Sequence, residues 1–300
     1  MNSNEIIERE KKTIDQICEL YHYDSNIRHL LYVIIPAFII KYGPSKEKLI
    51  LNTFRGVRIV SSNEEDKLIK AYYASSPKKK GDSYISEKVM VIQNYHKNTL
   101  VDLLDNLVHE FNHAVNSYQN EIKETPHYIL LRTGLTYRAF DKETLAFVKK
   151  QDSFILEEII NTKQTSDIIN IIKEFDPNNS SISNTIYAIN SETDHQYNSN
   201  SYYLQSYVCK EILNNRTFIS TLENLRLSGE VYELNKWFDD IVGKKGTYKE
   251  LTNLLKEVYD LEIKYVGQTL FKAFTLNKIR DISSQILRIV EKFNNSVNYR

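Results

Sequence analysis

The segment His109-Glu110-Phe111-Asn112-His113 constrains this chain more than any other. Two imidazoles four residues apart lie one above the other on an α-helix, so they can bind one ion together if the segment is helical. Glu110 then stands where it can take a proton from a water molecule on that ion. Zinc binds such nitrogens at about 2.0 to 2.1 Å. The spacing therefore predicts a zinc-binding helix.

The neighbouring residues predict where this helix begins and how it is oriented. Thr99 with Asp102 three residues later forms a capping pair, and the helix can continue to about Tyr118. Apolar residues recur along one side, whereas His109 and His113 fall on the opposite, polar side. We expect the two rings to face a cleft or solvent; a chance surface pair is the alternative. The apolar side consists of Leu100, Leu103, Leu104, Leu107, Val108, Phe111, Ala114 and Val115.

Hydrophobic periodicity predicts an α+β, predominantly helical fold. An amphipathic N-terminal helix is followed by β-rich runs at 49–51, 57–60, 71–73 and 89–92, which form a small sheet before the motif helix. Further helices are predicted at 153–175, 203–214, 219–238, 248–259 and 276–293, loops at 176–184 and 191–201, and a hairpin at 130–137. The chain is expected to form one catalytic unit with an N-terminal lobe, 1–118, and a helical C-terminal lobe, 119–300.

Composition excludes several functional classes. The 300 residues are 41% hydrophobic, enough for a substantial core. The formal net charge of +0 argues against nucleic-acid binding, and Lys78, Lys79 and Lys80 are interpreted as a solvated loop. Cys18 and Cys209 indicate a reducing compartment and exclude a zinc cage built from thiolates of this chain.

No membrane association is expected. Residues 1–12 are polar and charged, unlike a secretory leader, and the apolar stretch 30–40 is too short to span a bilayer. We therefore predict a cytoplasmic protein.

The motif leaves the third metal ligand open. Catalytic zinc normally has three protein ligands and one open position. Asn116 and Gln119 replace the glycine and histidine of the extended H-E-x-x-H-x-x-G-x-x-H motif, so a histidine on that continuation is ruled out. A carboxylate is the next choice.

Glu157 and Glu158 are the strongest carboxylate candidates. They lie in the strongly apolar helix predicted at 153–175, where an ionised carboxylate needs a cation. A salt bridge to Arg132 or to a lysine is the alternative for either one. Weaker ligand candidates are Glu124, Glu143, His127 and His195.

With this distant pair of acids, the motif resembles that of the gluzincins, zincin metallopeptidases whose zinc ligands are two histidines and one glutamate. Residues 109–115 are similar to the active-site helix of the anthrax lethal factor family, and the long gap to the second segment is also of that type. Thr162 departs from the pattern, because gluzincins often carry an acid one turn after the ligand glutamate.

The resemblance implies a zincin-like fold and zinc-dependent hydrolysis of a peptide or protein substrate. Its zinc ligands would be His109, His113 and Glu158, with Glu157 as the alternative to Glu158. Glu110 would be the general base that activates the zinc-bound water.

Three further roles complete the hypothesis. The oxyanion of the reaction needs a hydrogen-bond donor, for which the candidates are His195, Tyr203 and Tyr207. Asp102 and Asn116 share the polar side of the motif helix and could orient the rings. Residues 89–92 are the candidate edge strand along which an extended peptide would bind.

Two rival classes remain. The first is a non-proteolytic, zincin-like zinc-binding regulator or sensor, against which the intact Glu110 argues, because a structural site does not need a general base. The second is a binding protein without metal, in which the helical pattern is accidental.

Overall fold

A computed structural model describes residues 2–62, 70–150, 153–193, 215–265 and 273–298. It has the predicted α+β, predominantly helical fold. The α-helices are α1 Ser3–Tyr21, α2 Ser25–Tyr42, α3 Glu47–Gly56, α4 Leu100–Ser117, α5 Phe154–Lys173, α6 Ser183–Glu192, α7 Arg216–Ser228, α8 Leu234–Val242, α9 Thr247–Tyr265 and α10 Ala273–Asn298. The strands are β1 Arg58–Ser62, β2 Ala71–Lys80, β3 Ser83–Gln93, β4 Ile122–Glu124, β5 Tyr128–Thr133, β6 Thr136–Asp141 and β7 Phe147–Lys150.

The chain divides into two compact units, and the division is not a single cut near residue 118. Described residues 2–118 and 163–193 form the first unit, and 119–162 with 215–298 form the second. The sequence predicts a single C-terminal lobe for all of 119–300. Residues 163–193 return to the first unit because Ile168, Ile169 and Ile172 bury their side chains in its core.

The core of the first unit is built around helix α2. This helix is apolar on every side and buried over most of its length, as expected of a helix surrounded by other elements. Helix α1 buries Ile6, Ile7, Ile14 and Ile17, which confirms the predicted amphipathic helix. None of the helices in the described ranges has the length and apolar content needed to cross a bilayer.

A three-stranded sheet precedes helix α4, in the order β1-β3-β2. β1 runs parallel to β3, and β2 pairs antiparallel with β3. Two expectations are corrected. Residues 49–51 belong to helix α3, because Leu49, Ile50 and Phe54 are buried at helical spacing rather than at every second position. Residues 89–92 lie in β3, which has a partner on each side and is not an edge strand.

The second unit contains a four-stranded antiparallel sheet in the order β4-β5-β6-β7. The predicted hairpin at 130–137 is confirmed as β5 and β6, which are joined through Gly134 and Leu135. The helix predicted at 219–238 is instead two helices, α7 and α8. Gly229 ends α7 because its φ of +78° lies in the left-handed region, which the helix cannot continue through. The helix predicted at 203–214 lies outside the described residues.

Gly134 is expected to be essential for the hairpin. Its φ is +56°, and a Cβ atom there would lie 2.1 Å from the carboxylate of Glu157. Strain and overlap together should lower the free energy of unfolding of Gly134→Ala by roughly 3 to 5 kcal/mol. Gly81→Ala is the matched control, because Gly81 also has a positive φ, +62°, but no atom within 4 Å of the added Cβ.

The control should lose about 1 kcal/mol from backbone strain alone. Urea unfolding of both variants measures the difference. Equal losses would show that the contact with Glu157 does not matter.

Candidate metal centre

Helix α4 begins where the sequence predicts. The Thr99 hydroxyl accepts a hydrogen bond from the N–H of Asp102 at 3.1 Å, and the Thr99 N–H donates to the Asp102 carboxylate at 3.4 Å. This capping box satisfies two of the N–H groups that a helix start leaves without helical partners. Asp102 also forms an ion pair with Lys70 at 3.4 Å. Its contacts are therefore those of a helix cap, and the expected role in orienting the rings is not supported.

The apolar side of α4 packs into the core of the first unit, where Phe111 stacks on Phe54 with ring centroids 3.9 Å apart. His109 and His113 are also buried, with 7% and 4% of their surface exposed. The two rings therefore do not face open solvent, and of the two expected settings only a cleft is left. Helical periodicity indicates their direction, but it cannot show that other elements cover the polar side.

His109, His113 and Glu158 form a group that could hold a metal ion. Each offers one ligand atom, and these atoms lie within 4.8 Å of one another. The two rings are 5.0 Å apart between centroids and inclined at 77°. A tetrahedral zinc ion with bonds of about 2.1 Å separates its ligand atoms by roughly 3.4 Å, so small side-chain rotations would close the set. Two imidazoles and one carboxylate are also the donors of known catalytic zinc sites.

Glu157 is the neighbour that the metal group does not include. Its carboxylate accepts three hydrogen bonds. Arg226 donates from Nε at 2.8 Å and from Nη2 at 2.5 Å, and the backbone N–H of Leu135 donates at 2.8 Å. Glu157 and Arg226 are both fully buried. A salt bridge was the alternative to metal binding for these acids, and Glu157 forms one, although with a different partner. Glu158 therefore remains as the metal-ligand candidate.

The partner in this salt bridge is Arg226, not Arg132. Arg132 donates to the backbone carbonyls of Gln119, Gly134 and Arg226, and burial lowers its pKa to about 10. Arg226 was missed by the sequence analysis, although a signal was present. It continues the buried i, i+4 series of Phe218 and Leu222 on helix α7, so it is a charge on the apolar side of that helix.

Glu110, the proposed base, is held by an edge strand. Its Oε2 accepts the backbone N–H of Tyr73, on β2, at 2.7 Å. Gln93 donates its N–H to the carbonyl of Lys70, so that pair is hydrogen-bonded across β2 and β3. Along two antiparallel strands, hydrogen-bonded residue pairs alternate with pairs that are not hydrogen-bonded to each other. Tyr73, opposite Met90, belongs to the second kind, so its N–H and C=O point away from β3. The edge strand nearest the base is therefore β2.

A buried polar network ties helix α5 to helices α4 and α2. Asn112 donates from Nδ2 to Oε1 of Gln164 at 3.0 Å, and the Tyr42 hydroxyl bonds both of these side chains. Asn116 donates to the Tyr42 hydroxyl and to the Asn112 carbonyl, each at 2.8 Å. The contacts of Asn116 thus place it in this network rather than against the histidine rings. The network joins α5 to α4 and α2 at Gln164.

The remaining candidates are not part of the metal group. Glu124, Glu143 and His127 are exposed, and Glu124 pairs with Lys142 at 3.1 Å. Thr162 is buried one turn after Glu158. The proposed oxyanion donors, His195, Tyr203 and Tyr207, lie outside the described residues, as does Cys209.

Comparisons with known proteins identify no relative. No protein-family model, no curated protein and no solved structure matches this chain. The interpretation of the site therefore depends on its own residues.

Removal of Gln164 should destabilise the fold. Gln164→Ala takes away an acceptor that Asn112 and Tyr42 use in a buried setting, so the free energy of unfolding should fall by about 1 to 3 kcal/mol. Asn170→Ala is the control on the same helix: the amide of Asn170 donates to the Ser166 carbonyl at 2.8 Å from a half-buried position. Chemical denaturation should give a clearly smaller loss for the control, and similar losses would contradict the role of the network.

Proposed function

We propose that this chain is a zinc-dependent metallopeptidase of the gluzincin type that hydrolyses peptide bonds. The observation that carries the proposal is the buried group of His109, His113 and Glu158, with the carboxylate of Glu110 one residue from the first ligand candidate. Three ligands of this kind leave the fourth position of a tetrahedral ion for water or substrate.

The proposed chemistry divides between the ion and the protein. His109, His113 and Glu158 would hold zinc, which when bound supplies the Lewis acidity that makes water a nucleophile near neutral pH. Glu110 takes a proton from the attacking water and delivers it to the leaving nitrogen. The hydrogen bond from the Tyr73 N–H fixes one oxygen of this carboxylate, and so restricts the directions in which the base can point.

The substrate is proposed to be an extended peptide bound along β2. The outer edge of this strand lies beside the base, which accepts the Tyr73 N–H, and addition of a peptide strand along this edge would be β-augmentation. Pro77 lacks an N–H at another outward-facing position and is followed by Lys78. Prolines and lysines on an edge strand discourage further pairing. The peptide would therefore lie alongside residues 71–75, before Pro77 and Lys78.

A cytoplasmic location belongs to the same proposal. The chain has two cysteines in 300 residues, as is usual in reducing compartments. Cys18 is buried, and burial raises the pKa of its thiol to about 11, so this thiol is unreactive at neutral pH.

The second candidate function is a zinc-binding regulator or sensor without peptidase activity. The low exposure of all three ligand candidates favours this alternative, because a peptide substrate must reach the ion. Glu110 favours the enzyme, because a structural site gains nothing from a carboxylate beside its ligands.

Zinc binding is the first prediction of the proposal. Protein stripped with a chelator and dialysed against zinc should retain one equivalent, measured by elemental analysis. His113→Ala and Glu158→Gln should each lose stoichiometric zinc, because each removes a proposed ligand. His127→Ala is the control, since His127 is exposed and lies outside the metal group. If the parent protein retains no zinc, both candidate functions fail.

Glu110→Gln separates the enzyme from the sensor. The amide cannot accept a proton, so this variant should keep one zinc while peptide cleavage falls by about 10²- to 10⁴-fold. Cleavage of a diverse peptide library, followed by mass spectrometry, measures the rate over many sequences at once. A variant that cleaves as fast as the parent would refute the role of the base. A zinc-loaded parent that cleaves nothing would favour the sensor.

A further inference from the structure

We infer that the buried ion pair between Glu157 and Arg226 positions Glu158 for metal binding. The inference rests on the proposed zinc site and adds two positioning residues that are not among its proposed ligands. Glu157 directly precedes Glu158 on helix α5, and its carboxylate is bound at both oxygens by the guanidinium of Arg226.

The carboxylate of Glu157 is enclosed on its other sides as well. The Leu135 N–H donates to Oε2 at 2.8 Å, and Gly134 leaves room for the carboxylate only because it has no Cβ atom. Arg226 also donates from Nη2 to Oδ1 of Asn161 at 2.9 Å, one turn further along α5. Helix α5 is therefore held at two successive turns by one guanidinium.

This enclosure fixes the rotation of α5 about its own axis. Successive residues on a helix differ by about 100° in direction, so the direction of Glu157 determines that of Glu158. Gln164 anchors the same helix again through its hydrogen bonds to Asn112 and Tyr42. A metal site needs its ligands held to within about 0.5 Å and 10 to 20°. Anchors on both sides of Glu158 meet that need.

Stability alone explains the ion pair poorly. Two charges removed from water lose much of their solvation, and well-packed apolar residues often stabilise a protein as well as a buried pair does. A paired guanidinium and carboxylate instead provide a fixed geometry, because the two parallel hydrogen bonds between these planar groups form in only a few relative orientations. The pair is therefore suited to orienting the start of α5.

Zinc affinity of the folded protein tests the inference. Glu157→Gln keeps the shape of the side chain and removes its charge, and it should weaken zinc binding by about 10- to 100-fold, as outer partners of metal ligands typically do. Arg226→Lys keeps the charge but not the paired geometry and should be intermediate. Asp167→Asn is the matched control, because it removes ion pairs with Lys41 and Lys163 from the same helix and should leave zinc affinity unchanged.

Three measurements are made on each variant: competition with a chromophoric chelator, the absorption spectrum of the cobalt-substituted protein, and thermal unfolding of the metal-free protein. A purely structural role would lower the unfolding temperature without moving zinc affinity or the cobalt spectrum. In Glu157→Gln, the buried charge of Arg226 has no opposite charge beside it, which could prevent folding. In that case the double variant Glu157→Gln/Arg226→Gln, which removes both charges, is measured instead.

The outcomes separate this inference from the proposed function. A parent without zinc affinity refutes both. A parent that binds zinc, together with folded Glu157 and Arg226 variants that match its affinity and cobalt spectrum, overturns the positioning role alone. Weaker zinc binding and an altered spectrum in these variants, but not in Asp167→Asn, support it.

Discussion

Burial of charge on helix α5 is the constraint on which the rest of the site depends. An ionised carboxylate inside an apolar core requires a fixed partner close by, and α5 carries two buried carboxylates in succession. Arg226 on helix α7 compensates Glu157, and the Leu135 N–H of the β5–β6 hairpin donates to the same carboxylate, so both elements are bonded to the start of α5. Glu158 lies with two imidazoles instead. The difference between neighbouring residues of the same type therefore comes from what surrounds each one.

Helix α4 combines packing and chemistry on opposite sides. Its apolar side carries Phe111 into the core against Phe54, which makes the helix a rigid support. Its polar side carries both histidines, while Asn112 and Asn116 bond to the network around Tyr42. Glu110 reaches the backbone of strand β2. A rigid support whose neighbouring side chains are held by hydrogen bonds is what a catalytic or metal-binding group requires.

Local patterns predict the structure correctly where one element decides the outcome. The Thr99 cap, the amphipathic α1 and the hairpin at Gly134 each depend on residues close in the chain. Errors arise where partners are distant. Residues 49–51 have β-propensity but lie in a helix, since burial on one side of α3 outweighs propensity. The edge position of β2 depends on how β1 crosses to pair with β3, which no local pattern encodes.

The sequence by itself determined the spacing of the two histidines, the helix that carries them and the presence of two acids in an apolar segment. Those features depend on residues a few positions apart, where helix geometry leaves little choice. Only the tertiary structure decided between the two acids, because Arg226, the partner that occupies Glu157, lies 69 residues further along the chain. Charge compensation acts through space, so Glu158 becomes the ligand candidate only when Arg226 on α7 is bonded to Glu157 on α5.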